Sequence, residues 1–212
     1  DNKVEHLHVS LDTQEAQYAA GIDYIKANKV PFDVVMAIDA DEVWEDQYIE
    51  NAVRQMETRK SLAYRSNMHT YLKSPFFRVH PAYGSPTVFF REPELLTESP
   101  RGCRAPARQL SDVWMHHYTY VRDSREAVER KIFQSCKADG NEEVVNGWME
   151  NVYDKLPEGK NLHAFERWKR AWGCVEKIWM SDAPPAMRSA KLMDMWMPPG
   201  HLLDGEMNAI FM

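Results

Sequence analysis

The sequence has little cysteine, no long apolar run and no excess of positive charge. Its three cysteines, Cys103, Cys136 and Cys174, are widely spaced and form no CxxC pair, which argues against a disulfide framework and a zinc knuckle. This spacing favours reduced, partly buried thiols in a cytoplasmic protein. No apolar run approaches the roughly 20 residues that span a bilayer. The formal net charge of −6 shows none of the overall basic character that nucleic-acid binders usually carry.

What remains is an ordinary globular composition. The chain has 212 residues, of which 44% are hydrophobic and 27% charged, which suits one full-sized domain with a small appendage. We predict an α/β domain over residues 1–140 and a helical C-terminal extension over residues 141–212. The Met-rich tail of that extension is expected to wrap the domain or to meet a partner, in a homo-oligomer or a larger assembly.

The first forty residues predict a βαβ unit. Val4–Ser10 alternates apolar and polar residues and predicts a strand, and Gln14–Lys29 has the composition and spacing of a helix. The nearly continuous apolar run Phe32–Ile38 predicts a strand buried on both faces. The carboxylates of the "DADE" that follows are then expected at the carboxyl end of a parallel strand, where open α/β sheets bind ligands.

Periodicity extends the pattern along the chain. A helix is predicted over Asp46–Arg59 with Ile49, Val53 and Met56 on its buried face. Strands are predicted over residues 61–72, 86–91 and 112–121, a long loop over 92–109, and a helix over 123–140. Between 161 and 180 four aromatic residues and one valine recur at spacings of three and four, which predicts a further helix packed on the core; they are Phe165, Trp168, Trp172, Val175 and Trp179.

The acidic cluster Asp39, Asp41 and Glu42 is the strongest candidate for a site. Residues two apart on a strand point the same way, so Asp39 and Asp41 are expected to aim at one point. Two carboxylates held that close repel unless a cation or a proton lies between them. A hard cation such as Mg²⁺ or Mn²⁺ accepts oxygen ligands and leaves positions open for phosphate oxygens. The alternative is a solvated helix-capping loop, in which Asp41, Glu42 and Glu45 precede the next helix.

Three segments, quoted in chain order, carry a resemblance to a known family. "FDVVMAIDADEVWED" resembles the Asp-x-Asp segment of nucleotide-sugar glycosyltransferases of the A-type fold, most closely the family-2 group. "YLKSPFFRVHP" is similar to that family's acceptor-side segment, and "WMHHYTYVRDSREAVERKI" to its later histidine strand and helix. The resemblance covers roughly Val4 to Lys137. It implies a Rossmann-like mixed sheet flanked by helices.

The resemblance also implies roles for residues of the acidic motif. Asp39 would contact the ribose or the metal, and Asp41 would bind the metal, Mn²⁺ or Mg²⁺, directly. Glu42 would lie beside the metal ligands or on the acceptor side. The metal would bridge both phosphates of a nucleotide-diphosphate sugar, where it stabilises the charge that a diphosphate leaving group gathers.

The later segment supplies the remaining implied ligands. Strand alternation puts His116 and His117 on opposite faces, so only one of them can face the site. The family pattern selects His117 as the metal or diphosphate ligand. Arg122 and Lys131 would neutralise the diphosphate, Arg122 with its forked guanidinium and Lys131 as a point charge. Their alternative is a solvated, charged helix.

An inverting transferase also needs a general base for the acceptor hydroxyl. The family supplies it from a loop before the histidine strand, where Glu92, Glu94, Glu98 and Asp112 are all available. The sequence does not choose among them. Glu94 and Asp112 are retained as catalytic candidates beside Asp41 and Glu42.

The function that follows is transfer of a sugar from a nucleotide-diphosphate sugar to an acceptor hydroxyl on a glycan, a lipid, a protein or a modified nucleobase. Two alternatives stay open: a metal-dependent nucleotidyltransferase or phosphohydrolase, and a non-catalytic transferase-like domain for glycan binding or assembly. The family opens with a strand and a turn of the kind N-x-S-x-D-G-T that holds the nucleotide. Nothing in the sequence matches that turn, so we expect it either upstream of Asp1 or absent.

Overall fold

The computed structural model describes residues 14–96, 101–135, 142–163 and 171–188. Over these ranges the chain is mixed α/β, as the sequence predicts. The predicted first strand, Val4–Ser10, lies outside the described residues. The chain divides into two compact units. Unit 1 comprises residues 1–40, 49–67 and 85–113, and unit 2 comprises residues 41–48, 68–84 and 114–212.

The described helices largely follow the predicted ones. They are α1 Gln14–Ala27, α2 Asp46–Thr58, α3 Arg125–Ser135 and α4 Glu142–Trp148, which continues as a π-helix over Met149–Tyr153. Short 3₁₀ helices cover Pro93–Leu95, Met180–Asp182 and Pro185–Arg188. The predicted apolar face of α2 is only partly right, because Ala52 and Met56 are buried whereas Val53 is 46% exposed.

The described strands include three that periodicity predicts and three that it misses. They are β1 Val35–Met36, β2 Glu42–Trp44, β3 Ala63–Leu72, β4 Phe77–His80, β5 Thr87–Phe90, β6 Arg108–Tyr120 and β7 Cys174–Lys177. The predictions for β3, β5 and β6 are confirmed, with β6 starting earlier than expected. Strands β2, β4 and β7 were not predicted.

Unit 1 contains an antiparallel arrangement in which β5 lies between β1 and β3. Val35 of β1 pairs with Phe90 of β5, and Ala63 of β3 pairs with the same residue. Tyr64 is fully buried, and its hydroxyl accepts a hydrogen bond from the Ser61 amide at 2.9 Å. The buried side chains of β3 and β5 therefore form the apolar centre of this unit.

Unit 2 contains further antiparallel pairs and a parallel contact. Strand β4 pairs with β7 over its whole length, and Glu42 of β2 lies opposite His117 of β6. Strand β3 also lies beside β6. There Tyr71 stacks on Tyr118 at 4.4 Å and His69 stacks on Trp114 at 4.2 Å. Residue numbers therefore increase in the same direction along β3 and β6, as in a parallel pair of strands. Because the other pairs are antiparallel, the sheet is mixed.

A large apolar cluster in unit 2 packs α3 and α4 beside the strands. Its buried members are Leu72, Val79, Val128, Ile132, Val145, Trp148, Met149, Tyr153, Leu156, Leu162 and Trp172. The indole nitrogen of Trp148 donates to the Leu162 carbonyl at 2.6 Å, which satisfies its polar atom inside the cluster. This cluster stabilises the strands that carry the histidines.

Two predictions about local structure are wrong. The helix predicted across residues 161–180 is replaced over Cys174–Lys177 by β7, and Trp179 is 67% exposed rather than in the core. The strand predicted over Phe32–Ile38 shortens to Val35–Met36, both only half-buried, and Ile38 is 51% exposed. Among the described residues β1 pairs with β5, antiparallel, so its predicted parallel partner is not within them.

Candidate functional site

The centre of the candidate site is Asp41, in the turn that leads into β2. Its backbone carbonyl accepts a hydrogen bond from the Tyr118 amide at 2.8 Å. The next residue, Glu42, lies directly opposite His117 on β6. Main-chain hydrogen bonding, which does not depend on side-chain rotamers, therefore holds Asp41 and Glu42 against β6, the strand that carries His116 and His117.

Two nitrogen-bearing side chains approach the carboxylate of Asp41. A terminal nitrogen of Arg122 lies 3.0 Å from Oδ2, and Nε2 of His117 lies 3.6 Å from Oδ1. The side chains of Asp41 and His117 are 21% and 22% exposed, so both reach solvent. The Nε of Arg122 donates to the Thr119 carbonyl at 2.8 Å. The result is a small, half-buried cluster with one carboxylate, one imidazole and one guanidinium.

His116 faces a different, buried environment. Its Nε2 lies 3.0 Å from Glu45 Oε1, and its Nδ1 lies 2.7 Å from the Tyr71 hydroxyl. Because a carboxylate only accepts, Nε2 carries the proton and Nδ1 accepts from the tyrosine. Burial, with a smaller contribution from Arg78, lowers the pKa of His116 to about 4. Strand alternation thus leaves His117, and not His116, beside Asp41.

The pKa values of the neighbouring aromatic groups are shifted in the same apolar surroundings. Burial lowers the pKa of His69 to about 3 and raises the pKa of Tyr71 to about 12. Burial likewise raises the pKa of Tyr118. These groups are neutral at physiological pH, so the network around His116 is a neutral hydrogen-bonded cluster beside the Glu45 carboxylate.

Asp39 makes its contacts in unit 1. Its Oδ2 lies 2.8 Å from a terminal nitrogen of Arg101, whose side chain is only 5% exposed, and its Oδ1 accepts from the Tyr18 hydroxyl. Burial, followed by the hydrogen bond to Asp39, raises the pKa of Tyr18. The sequence predicts that Asp39 and Asp41 serve one site. In the structure Asp39 contacts Tyr18 and Arg101, which belong to unit 1, whereas Asp41 contacts His117 and Arg122, which belong to unit 2.

The candidate bases are placed as follows. Glu94 lies in the 3₁₀ helix after β5, exposed, with its carboxylate 3.1 Å from Lys26 Nζ. Its own backbone and then Lys26 hold the pKa of Glu94 below its usual value, which makes it a weaker base. Asp112 is exposed on β6 with φ of 51°, and its carbonyl accepts from Asn51 at 2.9 Å. Glu98 lies outside the described residues.

Two other predicted residues lie in unit 2. Glu42 accepts a hydrogen bond from the Trp44 indole nitrogen at 3.4 Å, in addition to its position opposite His117. Lys131 is half-buried on α3, and no ion pair joins it to a carboxylate of the described chain. The cluster at Asp41 therefore contains His117 and Arg122 from the predicted set, with Glu42 adjacent on β2.

Sequence reasoning missed Arg101, Tyr18 and Tyr71. Arg101 lies within the long Pro- and Gly-rich loop over residues 92–109. The length of that loop indicates a functional segment, but nothing in the sequence indicates Arg101 itself. Tyr18 and Tyr71 occupy positions that periodicity assigns to a helix and a strand. Nothing in either pattern indicates that the hydroxyl contacts a carboxylate or an imidazole.

Two side chains of the cluster, Asp41 and His117, are of types that can bind a metal ion. Asp41 offers an oxygen and His117 a nitrogen, and a mixed pair of this kind suits Mn²⁺ somewhat better than Mg²⁺. Within the described ranges no group of three or more His, Cys, Asp or Glu side chains could hold a metal ion. The remaining positions would therefore come from water or from phosphate oxygens.

Comparisons with known proteins give no assignment. No family model, no curated protein and no solved structure matches the chain. Among the described residues, no helix combines the length and the apolar character that crossing a membrane requires.

Proposed function

We propose that this chain is a metal-dependent glycosyltransferase of the A-type fold, which moves a sugar from a nucleotide-diphosphate sugar to an acceptor hydroxyl. One observation carries the proposal: Asp41, His117 and Arg122, from segments about 75 residues apart, meet in one half-buried cluster. A carboxylate and an imidazole beside a guanidinium are the groups that a cation and a diphosphate require together.

Each residue has a distinct task in this proposal. Asp41 and His117 hold the metal, and Arg122 binds the diphosphate oxygens with its planar fork. When bound, Mn²⁺ or Mg²⁺ supplies charge stabilisation for the diphosphate leaving group. Glu42, opposite His117 on the neighbouring strand, would lie beside the metal ligands or on the acceptor side. The general base is not assigned, because both candidates, Glu94 and Asp112, belong to unit 1, and the pKa of Glu94 is held below its usual value.

The proposal predicts that metal and nucleotide bind cooperatively. Two protein ligands leave most of an octahedral cation unsatisfied, so Mn²⁺ alone should bind weakly and should bind more tightly when a nucleoside diphosphate supplies oxygens. Linkage requires that Mn²⁺ increases nucleotide affinity by the same factor. Calorimetry with UDP and with GDP, each with and without Mn²⁺, measures both factors. A nucleotide affinity that Mn²⁺ leaves unchanged would contradict the proposal.

The variant Asp41→Asn tests the residue assignment. It keeps the volume of the side chain and removes the charge, so Mn²⁺-dependent nucleotide binding and sugar transfer should both be lost. The pair with Arg122 is partly exposed, so we expect a loss of only about 0.2–1 kcal/mol in the free energy of unfolding. The matched control is Asp33→Asn, an exposed aspartate of unit 1. Release of phosphate without sugar transfer would favour a phosphohydrolase.

A further inference from the structure

The Asp41 carboxylate has an internal cation at the position where a metal ligand must present its lone pairs. Arg122 contacts Oδ2 at 3.0 Å, and His117 approaches Oδ1 at 3.6 Å. A guanidinium is protonated at every accessible pH, so it cannot leave the carboxylate by losing a proton. A carboxylate oxygen has two lone pairs, so a divalent cation that binds Oδ2 would share that oxygen with the guanidinium, and two positive charges would lie close together. Movement of the guanidinium away from Asp41 relieves this repulsion.

The attachment of Arg122 allows that movement without removing the side chain from the site. Its Nε donates to the Thr119 carbonyl at 2.8 Å, while a terminal nitrogen contacts Asp41. The side chain is 34% exposed, so its terminal nitrogens are accessible to a ligand. The anchored Nε keeps the guanidinium near Asp41 while a terminal nitrogen changes its acceptor.

Charge gives the direction of the exchange. A divalent cation on Asp41 would lie next to the Arg122 guanidinium, and like charges at that distance repel. A diphosphate on the same cation offers oxygen acceptors whose geometry matches the arginine fork. Asp41 and the diphosphate therefore compete for Arg122, and the metal favours the diphosphate.

We propose that Arg122 is a partner-exchanging cation: it neutralises Asp41 while the site holds no metal, and it transfers to the diphosphate when metal and nucleotide bind together. The inference rests on the proposed function and adds to it a means by which the chain regulates metal binding. Arg122 then opposes binding of metal alone and supports binding of metal with nucleotide. This makes the occupied site depend on the donor substrate.

The test measures the two affinities in one variant. In Arg122→Gln, electron paramagnetic resonance should show Mn²⁺ alone binding roughly two- to fivefold more tightly, the factor that a partly exposed ion pair corresponds to. Calorimetry should show UDP with saturating Mn²⁺ binding about ten- to a hundredfold more weakly, as expected when charged hydrogen bonds to phosphate are lost. Opposite changes in the two affinities are the signature of the exchange.

Two further variants keep the result interpretable. Arg122→Lys retains a positive charge but not the fork, so its affinity for Mn²⁺ alone should stay near that of the parent while UDP affinity falls. Arg130→Gln, an exposed arginine on α3, should change neither affinity. Circular dichroism shows whether each variant has the parent's fold.

The outcomes separate the inference from the proposed function. If Mn²⁺ binds the parent and is lost in Asp41→Asn, but binds Arg122→Gln no more tightly than the parent, the exchange is overturned and the metal site stands. If both affinities fall in Arg122→Gln and in Arg122→Lys, Arg122 holds the site together and the exchange is again overturned. If Mn²⁺ binds none of the proteins, with or without UDP, both the exchange and the proposed function are refuted.

Discussion

Replacing His116 with glutamine should make the free energy of unfolding much less sensitive to acid. The imidazole is 5% exposed, and burial with a contribution from Arg78 lowers its pKa to about 4. In the unfolded chain a histidine titrates near 6.5. Below that pH the unfolded state therefore binds a proton that the folded state does not, and stability falls as pH falls from about 6.5 towards 4.

The size of the effect follows from the two pKa values. Between pH 7 and pH 5 His116 alone should remove about 2 kcal/mol from the free energy of unfolding. The Glu45 carboxylate 3.0 Å away favours the charged imidazole and opposes this shift, so about 2 kcal/mol is an upper value. His69, whose pKa is also lowered by burial, adds its own acid sensitivity to the parent and the variant alike.

Urea unfolding at pH 7, 6 and 5, followed by tryptophan fluorescence, measures the difference. His116→Gln should be less stable than the parent at pH 7, since it loses the contacts to Glu45 and Tyr71, but should lose up to about 2 kcal/mol less on going to pH 5. The control is Asn28→Gln, at an exposed position that carries no titrating group, which should leave the acid dependence unchanged. An equal loss in His116→Gln and the parent would refute the reasoning.

Three other substitutions test separate features. Asp39→Asn leaves the buried Arg101 without its carboxylate and should lower the free energy of unfolding by about 2–4 kcal/mol in urea; a loss below about 0.5 kcal/mol would show that the pair is not buried in solution. Tyr118→Phe removes a buried hydroxyl whose neighbour is Tyr71 but which makes no hydrogen bond of good geometry within the described chain, so its melting temperature should stay level or rise, and a clear fall would indicate that the two tyrosines are hydrogen-bonded. Gly173→Ala places a Cβ 2.9 Å from the His80 carbonyl oxygen and should cost about 1–3 kcal/mol, whereas a neutral result would mean that the backbone yields there.

Local pattern predicted best the element whose apolar residues are periodic. The helix α2 buries Ala52 and Met56, four residues apart, and a window of ten to fifteen residues reveals that spacing. Strand β7 was missed because its partner, β4, lies almost a hundred residues earlier. The apolar residues in and around β7, namely Trp172, Val175 and Trp179, have a spacing that also fits a helix, and only the distant partner decides between the two.

The part of the candidate site that the sequence predicts is the part that strand alternation and the family resemblance select. Alternation separated His116 from His117, and the structure places His117 beside Asp41. The contacts of Asp39 could not be derived in this way. Its partner Arg101 comes from a loop without periodicity, and a two-residue spacing says nothing about which compact unit each aspartate contacts.

The pairing of Asp41 with Arg122 also has a consequence for how the protein is made. Many metalloproteins fold only as their ion binds, because deprotonated ligands held together repel without it. Here the guanidinium of the same chain already lies beside Asp41. If Asp41 holds a metal as proposed, the newly synthesised chain can complete unit 2 without manganese and bind the ion later. Protein refolded in a strong chelator should then have the same ligand-free melting temperature as protein stripped of metal after folding.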